Sequence, residues 1–200
     1  GTSFTIGLID DQNESYRIIS DKTAEHFSFT RSVTSNQSYP SSTMGAMALI
    51  RQLYYDADWY SQGISESKDL ALESVINNRK LPKIFDANDK LNIYRAAKIS
   101  EELDLDFIIK GSGKEYENVR ELKKFSNKLI IPVNFPNAFD VSNAKLNEKL
   151  TISQLRFWNQ APANLGILEE NGIVFSITSA DLRNKKDFLK NIRKAIKNGL

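Results

Sequence analysis

Three short stretches, Phe107-Ile108-Ile109, Leu129-Ile130-Ile131 and Val174-Phe175-Ser176-Ile177, are almost continuously apolar, and they constrain the fold more than anything else in the chain. A strand with one face in water alternates apolar and polar residues, whereas a strand covered on both faces does not. The segments between these runs have helical periodicity and are too long for hairpins. They therefore predict right-handed βαβ crossovers and a parallel sheet.

Along the chain, strands are expected near Thr5–Ile9, Lys83–Ala87, Asp106–Lys110, Leu129–Val133 and Ile173–Thr178, all parallel. Ser20 to Pro40 is Ser/Thr-rich without a sustained period and reads as a long ordered loop with room for a short strand. Helical spacing begins at Thr43 and stops at Gly63, and a second helix opens at Lys68-Asp69. Asn88 or Asp89 can cap a third, with Leu91, Tyr94, Ala97 and Ile99 on its inner side. Gly111-Ser112-Gly113 leads into another, bearing Tyr116, Val119 and Leu122. Thr151 with Gln154 forms a capping-box pattern, Pro162 interrupts the helix that follows, and Asn171-Gly172 ends the next. The last helix is basic and ends at Asn198-Gly199. The fold class expected is α/β, with parallel βαβ units forming either an open sheet or part of a TIM-like (β/α) barrel. A complete barrel takes about 250 residues, so residues 1–200 are read as a single α/β domain excised from a larger protein.

Composition narrows the function. The 27 basic and 25 acidic residues leave a net charge of +2 and are spread along the chain, unlike the concentrated patch of a nucleic-acid binder. The basic residues of the last helix (Arg183, Lys185, Lys186, Lys190, Arg193, Lys194, Lys197) alternate with Leu182, Phe188, Leu189, Ile192 and Ile196, as on the solvated side of an amphipathic helix. No apolar run reaches the roughly 18 residues of a membrane span, and no signal peptide is read at the start. Neither nucleic acid nor membrane is expected as a partner, and the compartment is open. With no cysteine, disulfide and thiolate chemistry are excluded.

Several segments together resemble the imidazolonepropionase-related branch of the amidohydrolase superfamily. They are Thr43-Met44-Gly45-Ala46-Met47-Ala48-Leu49-Ile50-Arg51-Gln52 with Tyr55-Asp56-Ala57-Asp58-Trp59-Tyr60, then Asp86-Ala87-Asn88-Asp89 up to Ile93-Tyr94-Arg95-Ala96, and Gly111-Ser112-Gly113-Lys114-Glu115-Tyr116. Ala161-Pro162-Ala163-Asn164, Gly172 to Ser179 and Ala195 to Leu200 complete the set. The similarity runs from about Asp21 to Leu200. It implies a metal-dependent hydrolase of non-peptide C–N bonds, cyclic amides in particular, using zinc or iron. It also implies metal ligands at strand ends, where this chain has Asp86, Gly111 and Ser179, or Asp181 with the register moved by two; the family's paired histidines on a first strand have no counterpart here.

A hydrolytic zinc site needs about three protein ligands, preferably neutral imidazole. The single histidine, His26, lies far upstream and reads as structural or surface. No catalytic, cofactor-binding or metal-binding residue is therefore assigned, and no cofactor is expected in this chain. A vestigial pocket is expected on the rim at Asp86, Asn88, Gly111, Ser112, Asn134, Phe135 and Ser179, which directly follow apolar strand residues. The expected role is structural or binding, beside the remainder of a parent polypeptide or another barrel domain, with self-association open.

Two alternatives stay open. One is an active hydrolase completed by segments outside this sequence. The other is a receiver-type signalling module, suggested by Asp10-Asp11 after an apolar strand and by Lys110. That module lacks an acceptor aspartate after a third strand, because Asp56 and Asp58 fall inside a helix. Gly111-Ser112-Gly113-Lys114 could bind an anion at a helix start but lacks phosphate-loop spacing and reads as a tight turn. Ser179 has no histidine to activate it. Trp59, Trp158 and Tyr54-Tyr55 read as core.

Overall fold

The apolar runs form strands. The computed structural model describes residues 1–7, 18–32, 35–65, 67–125, 128–140, 142, 148 and 150–200. These divide into two compact units, Gly1–Ala87 with Tyr94–Ile108, and Asn88–Ile93 with Ile109–Leu200.

In the first unit, β1 (Thr2–Ile6) pairs antiparallel with β2 (Ile18–Ser28), and β2 pairs parallel with β3 (Lys83–Asp86), Phe27 opposite Phe85 and Ser28 opposite Asp86. This corrects two expectations. The first strand, expected at Thr5–Ile9, begins at Thr2 and is antiparallel, residues 8 and 9 lying outside the described residues, and the supposed loop from Ser20 opens within an eleven-residue strand. Most of β2 faces water, with only Ala24 fully buried, so it lacks the apolar run that marks an inner strand. Tertiary packing holds it instead. The Phe27 ring lies 5.6 Å from Phe107 and 6.4 Å from Phe85 and Tyr54, and Phe29 lies 4.6 Å from Phe85.

Two capped helices flank this aromatic core. In α1 (Thr43–Ser61) the Ser42 hydroxyl accepts the Gly45 N–H at 3.1 Å, and in α2 (Leu70–Asn77) Asp69 accepts from Ala71 and Leu72. Each cap satisfies donors that the first helical turn leaves without a partner. Lys83 is buried on β3, and its ammonium donates to the carbonyls of Arg79 at 2.7 Å and Leu81 at 3.0 Å. A buried cation thereby closes the chain just after α2. Of the aromatic residues read as core, Tyr54 is buried, while Tyr55, Trp59 and Trp158 are exposed. Helical spacing places such residues on one side of a helix without saying which side is covered. His26 is exposed on β2 opposite Ile84.

The third helix, α3 (Lys90–Glu102), buries Ile93, Ala96, Ala97 and Ile99, whereas Leu91 is exposed. Of the four residues expected on its inner side, Ala97 and Ile99 are buried and Tyr94 is half-buried, and only Leu91 faces water. Arg51 of α1 holds Glu102 through its Nε and one terminal nitrogen at 2.7–2.8 Å.

In the second unit, the Ile109-Lys110 end of β4 (Phe107–Lys110), β5 (Leu129–Pro132) and β6 (Phe175–Thr178) pair in parallel, Ile109 opposite Leu129 and Leu129 opposite Phe175. Ile109, Leu129, Ile131 and Val133 are almost inaccessible, as the continuous apolar runs require. Between these strands come a 3₁₀ turn at Glu115–Glu117 with α4 (Val119–Phe125), and then α5 (Ile152–Gln160), a 3₁₀ turn at Ala161–Ala163 and α6 (Asn164–Glu170). The capping box at Thr151 and Gln154 is complete in both directions. Gly172, at φ +70°, ends α6, and α7 (Phe188–Lys197) closes the chain. All seven basic residues are exposed, Arg183, Lys185 and Lys186 lying before the helix; of the expected apolar residues Ile192 is half-covered beside the buried Ala195, whereas Leu189 and Ile196 are exposed. Among the described residues, no helix is long and apolar enough to cross a membrane.

Candidate functional site at the strand ends

Parallel α/β folds place ligands beyond the carboxyl ends of their strands. Asp86 ends β3 and is exposed. Gly111 and Ser112 follow β4, Asn134 and Phe135 come shortly after β5, and Ser179 follows β6. A pocket of about 210 Å³ in the second unit is lined by Asn88, Asp89, Lys90, Ile93, Ser112, Lys114, Glu117, Asn118 and Ser153. It brings together two of the rim residues named from the sequence, Asn88 and Ser112. Gly111, Asn134, Phe135 and Ser179 do not line it, and Asp86 belongs to the first unit. Asp89 caps α3, accepting the Asn92 N–H at 2.9 Å, and its other oxygen accepts from the Asn92 side chain. The Lys114 ammonium stands 4.5 Å from the centre of the Phe157 ring, a cation–π contact.

The most tightly built part of this rim lies just beneath it. Glu115 is completely buried. Its Oε1 accepts the backbone N–H groups of Ser112 at 2.6 Å and Gly113 at 3.0 Å, and its Oε2 accepts Asn164 Nδ2 at 2.8 Å. The Asn164 carbonyl oxygen in turn accepts the Tyr116 N–H at 2.8 Å. Gly113 has φ +85°, a conformation glycine adopts without strain, and this turns two successive N–H groups onto one carboxylate oxygen. The loop after β4 is thereby tied to the start of α6. Sequence reasoning missed this centre because Glu115 and Asn164 are 49 residues apart. Burial, reinforced by the nearby Glu117 carboxylate, pushes the Tyr116 hydroxyl above its usual pKa.

Elsewhere on the second unit, Lys110 at the end of β4 pairs with Asp181 at 2.9 Å, and Asp181 has φ +64°. The Ser179 carbonyl accepts from Lys185, and the Lys194 ammonium stands 5.7 Å from the Phe135 ring. Lys110 is thus engaged by the turn after β6. Asp10-Asp11, the other element of the receiver-like reading, lies outside the described residues.

The donors present do not fit a hydrolytic zinc or iron centre. In the second unit the strand-end positions supply a hydroxyl at Ser179 and, at Gly111, no side chain, and in the first unit Asp86 is a lone carboxylate at the end of β3. Among the described residues no three His, Cys, Asp or Glu side chains are grouped closely enough to hold a metal. About three protein ligands would be required.

No family model matches this chain, and no curated protein matches it. Among solved structures it is similar to an amidohydrolase from Thermotoga maritima MSB8, with a TM-score of 0.65 at 16% identity, over 93% of this chain and 49% of that one. The chain spans about half the length of that enzyme. At this identity the likeness concerns architecture alone: the chain has an amidohydrolase-like mixed α/β fold.

Proposed function

We propose that this chain is an amidohydrolase-like domain of the barrel type, related to the imidazolonepropionase branch, that does not itself catalyse hydrolysis and serves a structural or binding role within a larger protein. The parent chemistry is metal-dependent hydrolysis of non-peptide C–N bonds, with cyclic amides as the substrate class. One observation carries the reading: the strand-end positions where the resemblance implies metal ligands hold Asp86, Gly111 and Ser179, and the space beside Gly111 is taken by the Glu115 carboxylate. The architecture shared with the Thermotoga amidohydrolase supports the parent class. Elemental analysis of protein purified without chelator tests the reading. The expected content of zinc, iron, manganese and cobalt is well under one per chain, and a content close to one refutes it.

A second reading is favoured by the length comparison, since the matched enzyme is about twice as long. Here the missing ligands come from other segments and the assembled protein is an active hydrolase. An H-x-H motif following a strand in a contiguous upstream segment, together with metal-dependent turnover of the joined protein, would favour it.

A further inference from the structure

We infer that Glu115 fills the place a side chain at position 111 would need, so that the rim after β4 is organised by a buried carboxylate and is closed to any metal-ligating side chain at that position. The metal clause rests on the reading above; the coupling between positions 111 and 115 holds whether or not the chain proves to be a hydrolase.

The geometry is restrictive. A Cβ added to Gly111 would lie 2.3 Å from Glu115 Oε1, 2.8 Å from its Cδ and 3.3 Å from Ile131 Cδ1. Distances below 3.0 Å require one of the groups to move, and the carboxylate is poorly placed to do so. Ser112 N–H, Gly113 N–H and Asn164 Nδ2 hold it at 2.6–3.0 Å, and the Ser112 hydroxyl stands at 3.3 Å. Moving it would leave several buried donors without a partner, which costs more than the bonds return when formed. Glycine at 111 is therefore required for close approach rather than for an unusual backbone angle. A histidine there, which has a Cβ and a ring to place, meets the same obstruction first.

The test compares melting temperatures of the 200-residue chain with those of Gly111→Ala, Glu115→Asp and the double variant. Shortening residue 115 by one methylene withdraws the carboxylate from the new methyl group. Gly111→Ala alone is expected to lower the melting temperature by roughly 4–10 °C, as overpacking in a domain of this size does. In the Glu115→Asp background the same change is expected to cost less than half as much. Equal losses in the two backgrounds overturn the proposal, as does a Gly111→Ala protein that melts with the parent. Amide exchange in the unmodified protein gives an independent reading if Glu115→Asp does not fold. The Ser112 and Gly113 amides should exchange at least about a hundredfold more slowly than in a free chain, and free-chain rates would overturn the proposal.

Discussion

Asn164→Ala probes the tie between the β4 rim and α6 most cleanly, because the side chain is buried and serves two partners, the buried Glu115 and the half-buried Tyr116. It removes the 2.8 Å bond from Asn164 Nδ2 to the Glu115 carboxylate and the 2.8 Å bond that Asn164 Oδ1 accepts from the Tyr116 N–H. A hydrogen bond to a charged group contributes about 1.5–3 kcal/mol and a neutral one about 0.5–1.5. The expected loss is therefore about 3 kcal/mol, a factor of roughly 150 in the folding equilibrium. Urea denaturation followed by circular dichroism reads this as a midpoint lowered by about 1–2 M for a slope near 2 kcal/mol/M. Asn171→Ala is the control: its side chain makes one bond, to the Ile167 carbonyl at 2.8 Å, and should cost about 1 kcal/mol. If Asn164→Ala costs no more than Asn171→Ala, Glu115 does not depend on Asn164 and the account of the rim is wrong.

Further outcomes follow from the same geometry. A Cβ on Gly166 of α6 would lie 2.5 Å from the backbone carbonyl carbon and oxygen of Gly199; Gly166→Ala is expected to cost about 1–3 kcal/mol, and unchanged stability would show that the chain end is not seated there. Thr151→Ala should cost about 1 kcal/mol by removing the capping box, read in the same urea assay. Burial first, and the Glu25 carboxylate second, push the Tyr54 hydroxyl above its usual value of 10.0, against an opposing pull from Arg79. The folded state therefore favours the neutral phenol, and this contribution is complete below the unfolded pKa and is lost as the pH rises above it. Between about pH 10 and 12 the parent should lose stability more steeply than Tyr54→Phe, and parallel curves would contradict this.

The inner strands were legible because burial on both faces writes itself as an unbroken apolar run, as at Leu129-Ile130-Ile131. β2 was not, since the outward Asp21 and Lys22 and the inward Glu25, which lies 3.6 Å from Lys83, break the pattern, and its hold comes from the Phe27 ring packing against residues about 60 and 80 positions away. Helix ends were legible where capping is local, as at Thr151 with Gln154 and at Gly172. The edge of the covered side of α3 and α7 was not, because Leu91, Leu189 and Ile196 satisfy helical spacing as well as the covered Ala97, Ile99 and Ile192 do while facing water. At the rim, Asn88 and Ser112 could be named from their places after strands. Glu115 could not, because nothing local marks a glutamate as buried when one of its partners lies 49 residues onward. The tight Gly111-Ser112-Gly113 turn was the single signal available there, and its N–H groups receive a carboxylate of the chain itself.

The most direct measurement of the central claim is hydrolysis of a panel of cyclic amides by the purified chain, with and without added zinc or manganese, compared with Asp86→Ala. No turnover above background is expected in either protein, with Asp86→Ala altering stability at most. Metal-dependent turnover that Asp86→Ala lowers by more than about a hundredfold, a loss of roughly 2.7 kcal/mol in transition-state stabilisation, would show that this rim is a working active site.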